Sequence, residues 1–248
     1  MSDPFRLDGK RAFVTGANTG IGQAIAVGLA AAGAHVIAAG RSSCADTVAL
    51  IEKEGGSGQA CTIDLSDPAT AAEGMHGIGD LDILVNNAGI IRRADSVDYT
   101  EADWDEVMDV NLKAVFLMCQ TFARAAIARG QGGRIVNIAS LLSFQGGIRV
   151  SAYTASKHGV AGLTKLFANE WSQHGINVNA VAPGYIATNN TTALREDPQR
   201  STEILARIPA GRWGDPEDIA GAVTFLCAPA SGYVTGAVLN VDGGWLAR

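Results

Sequence analysis

Short, nearly continuous apolar runs recur along the chain at residues 12–14, 35–37, 60–63, 81–85, 134–138, 178–181 and 238–241. Strands buried on both faces leave this signature, because no side chain alternates into water. Between them, apolar residues return at helical spacing over 20–32, 43–54, 67–77, 101–129, 153–174 and 216–228. Strand and helix signals alternate without a break. The pattern predicts one α/β domain over residues 1–248, built on a seven-stranded, mainly parallel, doubly wound sheet.

In such sheets ligands bind beyond the carboxyl ends of the strands, so the segments that follow each strand are the places to look for chemistry. The longest weakly patterned stretch, residues 184–214, is expected to be a substrate lid, with surface elaboration as the plainer alternative.

Composition narrows the class. With 47% hydrophobic and 18% charged residues the chain can fill a large core, and no apolar run is read as approaching the roughly 20 residues of a membrane span. The 19 basic and 25 acidic residues give a net charge of −6 without a basic stripe, which argues against nucleic acid or an anionic membrane as partner. Cys44, Cys61, Cys119 and Cys227 are scattered without metal-ligand spacing and read as reduced thiols. Residues 1–10 carry acids and a proline where a secretory signal would be basic and then apolar, so a cytoplasmic location is expected.

A glycine cluster stands where the first strand passes into the first helix, Thr15-Gly16-Ala17-Asn18-Thr19-Gly20-Ile21-Gly22. Glycines there allow a tight turn and let backbone N–H groups and the helix N-terminus approach a pyrophosphate. In a chain with 30 glycines the string alone is weak; its placement between strand and helix makes it a dinucleotide signal. An acid at the end of the second strand would bind a ribose 2′-hydroxyl. The stretch here reads Ala39-Gly40-Arg41-Ser42-Ser43, and Arg41 with Ser42 suits a 2′-phosphate. NADP(H) is favoured and NAD(H) stays open; otherwise Arg41 is an ordinary surface arginine. Asp64, beside Leu65 after the third strand, is read as an adenine contact or a turn residue. Asn87-Ala88-Gly89, after Asn86, suits close approach to a ribose or simply ends a strand.

The chemistry lies further on. Tyr153 and Lys157 are four residues apart on one helical face, and Ser140 lies thirteen residues upstream of Tyr153. A phenol that titrates near 10 needs a neighbouring positive charge to exchange protons near neutrality. Lys157 is placed to supply it, which makes Tyr153 the proton donor or acceptor and Ser140 a hydrogen-bond partner for the same substrate oxygen.

Together, Thr15-Gly16-x-x-x-Gly20-x-Gly22, Asn86-Asn87-Ala88-Gly89, Asn111, Ser140, Tyr153-x-x-x-Lys157 and Pro183-Gly184 resemble the short-chain dehydrogenase/reductase family over essentially the whole chain. The resemblance implies a Rossmann fold and a nicotinamide-dependent oxidoreductase. It implies further that Lys157 also holds the nicotinamide ribose, that Asn111 supports a water-mediated proton relay, that Pro183, Gly184, Ile186 and Thr188 contact the nicotinamide carboxamide, and that the protein is a homotetramer.

The flanking segments are polar and basic. Arg92, Arg93, Gln145, Arg149, Tyr185, Asn189, Asn190 and Arg212 lie beside the catalytic positions or in the expected lid. Guanidinium groups recognise carboxylates, while amides and phenols recognise hydroxyls, so a small polyhydroxy acid is the expected substrate. Arg92, Gln145, Arg149, Tyr185 and Asn190 are the substrate candidates, each arginine otherwise a solvated loop charge. The strings around Arg92, Gln145 and Asn190 resemble the deoxygluconate branch of the same family. Other expectations are a ketone of a different kind, such as gluconate-derived or 3-oxoacyl, or a dinucleotide sensor without catalysis.

Overall fold

The computed structural model describes residues 3–248. Seven strands, β1 (Arg11–Thr15), β2 (His35–Gly40), β3 (Ser57–Thr62), β4 (Ile83–Asn86), β5 (Gly133–Ile138), β6 (Ile176–Pro183) and β7 (Val238–Val241), form one sheet in the order β3-β2-β1-β4-β5-β6-β7. Every pairing among the described residues is parallel, as the near-continuous apolar runs predict. The order reverses between β1 and β4, and a crevice opens at the carboxyl ends where it does.

Helices α1 (Gly20–Ala31), α2 (Ala45–Lys53) and α9 (Pro216–Cys227) cover one face; α3 (Pro68–His76), α4 (Glu101–Met108), α5 (Ala114–Arg129) and α6 (Ser151–Trp171) lie toward the other. Successive strand residues serve opposite cores: Phe13, Leu84 and Ile135 pack with Met75, Met118 and Val160, while Val14, Val85 and Val136 pack with Ile25, Leu29 and Val223. That is why the strands read as unbroken apolar runs.

Three departures from the sequence expectation have local causes. β3 starts at Ser57, earlier than its apolar run, because an edge strand with exposed side chains needs only backbone pairing to β2. The 184–214 stretch is not irregular: after Ile186 it forms a 3₁₀ turn, then α7 (Thr192–Arg195) and α8 (Pro198–Arg207). α8 carries its partly buried Ile204 and Leu205 among exposed polar residues, a sparse signal that a wider apolar stripe would have made plain. Third, Glu101–Arg129 is long and apolar enough to cross a membrane by length and composition, against the sequence reading; 50% of its apolar window is buried inside the protein. Met118, Phe122 and Ala126 on this run belong to the core. The run is also interrupted by a π-helical turn, Asp109–Lys113, between α4 and α5.

Candidate active site

The glycine loop is held open from below. Thr15, buried at the end of β1, accepts hydrogen bonds at Oγ1 from the backbone N–H groups of Asn87 and Ala88, each at 3.0 Å. The Asn87 amide donates to the carbonyls of Thr15 at 2.9 Å and Gly16 at 3.2 Å. Asn87 therefore shapes the loop with its side chain. Gly16 has φ +63°, and a Cβ there would stand 2.9 Å from Ala88 Cα; a Cβ on Gly22 would collide with the Gly16 carbonyl. Thr19 precedes α1 in extended conformation and makes no side-chain cap, so the helix N-terminus faces outward with its N–H groups available. This cradle fits a pyrophosphate. Gly20 (φ +56°) packs toward Thr188, whose Cγ2 lies 3.4 Å from a Cβ position there, and this links the loop to the segment after β6. Ile21 is partly buried against the α1-side core.

At the end of β2, Arg41 is exposed and forms no salt bridge among the described residues. The Ser42 hydroxyl accepts from Asn18 Nδ2 at 3.0 Å, which leaves its own hydrogen free to donate. Asp64 accepts from the Ser66 N–H at 2.9 Å; that bond, and more weakly the nearby Arg41 charge, hold its carboxyl below the ordinary value. Leu65 is buried behind it.

The catalytic candidates converge at the top of β4, β5 and β6. Ser140 follows β5, and its Oγ accepts from the Leu142 N–H at 3.2 Å. Tyr153 lies in the first turn of α6. Burial pushes its phenol above the ordinary value, opposed by the hydrogen-bonding Ser140 side chain and by the positive charge of Arg93. Lys157, 4% exposed, has Nζ 5.6 Å from the Tyr153 ring centroid and donates to the Ile138 carbonyl at 2.6 Å. Desolvation brings its ammonium down to about 8. Ser143 fastens the turn after Ser140 to α6 by donating to the Lys157 carbonyl at 2.7 Å.

The π-turn explains Asn111. One extra residue in the turn rotates the amide inward, where Asn111 is 0% exposed. It accepts from the Ile90 N–H and donates to the Ile90 carbonyl, both at 2.9 Å. Gly89 lies directly beneath, its Cβ position 3.3 Å from Asn111 Oδ1 and 3.8 Å from Lys157 Nζ. After β6, Gly184 donates its N–H to the Val241 carbonyl at 2.9 Å, and a Cβ there would come within 2.6 Å of Asp242 Cα. Ile186 is buried and bridges to Gly214, so the two ends of the 184–214 stretch are joined.

The substrate candidates separate. Arg92 is taken by Glu106 at 2.7 Å and Asp103 at 3.6 Å. Arg149, at φ +63°, pairs with Asp95 at 3.2 Å, and Arg212 grips Asp218 through two bonds of 2.7 and 2.9 Å. These three guanidinium groups pair with protein carboxylates, which the sequence could not show because the partners lie 6 to 54 residues away. Arg93, next to Arg92 in the chain, is exposed, forms no salt bridge among the described residues, and its positive charge acts on Tyr153. Tyr185 packs edge-on against Trp213 and tilted against Trp245. Gln145 accepts from the Trp245 indole at 3.1 Å. The Asn190 side chain lies outside the described residues.

Residues 16–246 match the family model described as "Enoyl-(Acyl carrier protein) reductase". The chain belongs to the short-chain dehydrogenase/reductase family. It is 54% identical to the 2-dehydro-3-deoxy-D-gluconate 5-dehydrogenase of Escherichia coli (strain K12), over 98% of each chain. The enzyme of that name from Bacillus subtilis (strain 168) is 53% identical, covering 100% of this chain and 99% of the relative. A crystal structure of a putative 2-deoxy-d-gluconate 3-dehydrogenase from Agrobacterium tumefaciens with bound NADP superposes with a TM-score of 0.98 at 65% identity, covering 100% of both chains. Fold and family were thus expected from the residues, and the protein is an oxidoreductase of this family.

Proposed function

We propose that the protein is an NADP(H)-preferring dehydrogenase that interconverts a secondary alcohol and a ketone on a deoxygluconate-type sugar acid. The observation that carries this reading is Arg93, without a salt bridge among the described residues and close enough for its charge to act on Tyr153, in a chain whose relatives act, by name, on 2-dehydro-3-deoxy-D-gluconate.

The dinucleotide would lie over Gly16, Asn18, Thr19, Gly20, Ile21 and Gly22, with Asp64, Leu65, Ala88 and Gly89 along its adenosine and ribose half and Pro183, Gly184, Ile186 and Thr188 beside the nicotinamide. Arg41 supplies positive charge for a 2′-phosphate, and Ser42, its oxygen already bonded to Asn18, donates its hydrogen to it. When bound, the nicotinamide supplies or receives the hydride. The protein handles the proton: in the oxidative direction the Tyr153 oxygen takes the hydroxyl proton as the C–H bond is lost, and in the reductive direction it returns one to the carbonyl oxygen. Ser140 holds that oxygen. Lys157 lowers the cost of the phenolate and holds the ribose, and Asn111, fixed on Ile90, keeps the base of the relay to water in place. Arg93 grips the substrate carboxylate, a role the paired Arg92 and Arg149 do not fit.

The whole of 1–248 works as one catalytic domain with residues 184–214 as lid. Assembly as a homotetramer is supported by large apolar side chains left exposed on α4, α5, α6 and the edge strand β7: Trp104, Ile127, Leu166 and Leu239. Four free thiols suit a cytoplasmic protein.

Single alanine replacements test the anchor. With a deoxygluconate substrate, Arg93→Ala is expected to raise KM by about tenfold or more, the loss of a charge-assisted bond, while Arg92→Ala and Arg149→Ala leave it within about twofold. An unchanged KM in the Arg93 variant would remove the carboxylate anchor from the account.

A further inference from the structure

Trp245, in the turn after β7, touches three segments that border the site. It is 5% exposed and packs with Leu141 next to Ser140, Ile208 at the end of α8, and Tyr185 next to Gly184. The Arg207 guanidinium lies 3.9 Å above its ring, and the Tyr185 ring centroid is 4.7 Å away. Its indole N–H donates to Gln145 Oε1 at 3.1 Å, joining residues 100 apart in sequence.

An indole nitrogen only donates. The Gln145 carboxamide must therefore turn its oxygen to Trp245, whichever way round the amide is drawn, and its NH₂ group away. That NH₂ has no protein partner among the described residues, whereas the oxygen is satisfied. Gln145 sits on the connection between Ser140 and Tyr153.

We infer that Trp245 is a positioning residue for substrate selection: it fixes Gln145 so that two N–H donors are presented to an acceptor oxygen of the sugar acid. This rests on the sugar-acid reading above and adds a determinant from the segment after β7. A ligand offering only donors or apolar surface at that point would leave the amide unsatisfied, so the arrangement favours an oxygen-rich substrate. It also ties the end of the lid, through Arg207 and Ile208, to the loop that carries Ser140.

The alternative is that Gln145 exists only to satisfy a buried indole. Steady-state kinetics with 2-dehydro-3-deoxy-D-gluconate and saturating NADP⁺ separate the two. Trp245→Phe keeps the stacking ring and removes only the N–H; Gln145→Ala removes the amide. Each is expected to raise KM by about tenfold with kcat and the NADPH dissociation constant within about twofold, and the double variant is expected to be no worse than Gln145→Ala. Gln145→Glu guards against misfolding of the Phe variant: its carboxylate still accepts from the indole but has no N–H to give, so KM should rise while the melting temperature holds. A wild-type KM in either Trp245→Phe or Gln145→Glu, or multiplying effects in the double variant, would overturn the inference. If the wild-type protein itself turned over no sugar acid, the functional reading would fall first and the inference with it.

Discussion

At the scale of single residues, the site is an electrostatic problem posed by burial. Desolvation alone would keep the Tyr153 phenol protonated and would press the Lys157 ammonium toward neutrality. Ser140 and Arg93 work against the first effect. Alcohol oxidation needs the phenolate, so its rate should climb with pH, and removing the Arg93 charge should move that limb to higher pH; a limb in the same place in Arg93→Ala would separate Arg93 from Tyr153. Lys157 gives a stability signature with a definite sign. Its value falls from 10.5 to about 8 on folding, so between those pH values the unfolded chain holds a proton that the folded one has released. Stability from this group therefore rises with pH across that window. The melting temperature of the wild type minus that of Lys157→Met should increase from pH 8 toward 10, and a constant difference would contradict the assignment. That Tyr153, Lys157 and Ser140 would lie together was legible in the sequence, because their grouping depends on residue type and helical spacing. The arginines were not, because pairing with Glu106, Asp95 or Asp218 is decided by loop geometry that leaves no periodic trace.

Elements position these residues. The π-turn between α4 and α5 buries Asn111 against Ile90, and nothing in the run of residues 101–129 announces it, since one inserted residue barely disturbs an apolar pattern this broad. The glycine loop is the opposite case: its spacing announced the turn, and the structure supplies the reason each position must stay small. Gly22→Ala would drive a methyl into the Gly16 carbonyl. It is expected to raise the NADPH dissociation constant by at least about tenfold, measured by nicotinamide fluorescence; unchanged binding would show that the cradle deforms without cost. The 184–214 stretch shows where pattern reading runs short, because a segment that packs only one narrow stripe carries few apolar residues to count. Its closed base, Ile186 against Gly214, is a long-range backbone contact.

For the molecule as a whole, the parallel sheet was readable because each strand serves two cores, which writes itself into the sequence as continuous hydrophobicity. β7 was found at Val238–Val241 as expected, whereas edge strand β3 was half hidden by its polar exterior. If the proposed tetramer covers the exposed Trp104, Leu166 and Leu239, the light-scattering mass is expected near four times 25.6 kDa; a particle of 25.6 kDa would refute assembly. The central claim joins all three scales: this sheet holds an NADP(H) cradle, this tyrosine moves the proton, and the substrate is a deoxygluconate. Absorbance of the reduced nicotinamide tests it directly, with the purified protein, NADP⁺ or NAD⁺, and 2-dehydro-3-deoxy-D-gluconate, beside reductive wells of NADPH or NADH with a 3-oxoacyl ketone. Turnover of the sugar acid, faster with NADP⁺ and abolished in Tyr153→Phe, is the predicted result; turnover of the acyl ketone alone, or of the sugar acid undiminished in Tyr153→Phe, would contradict it.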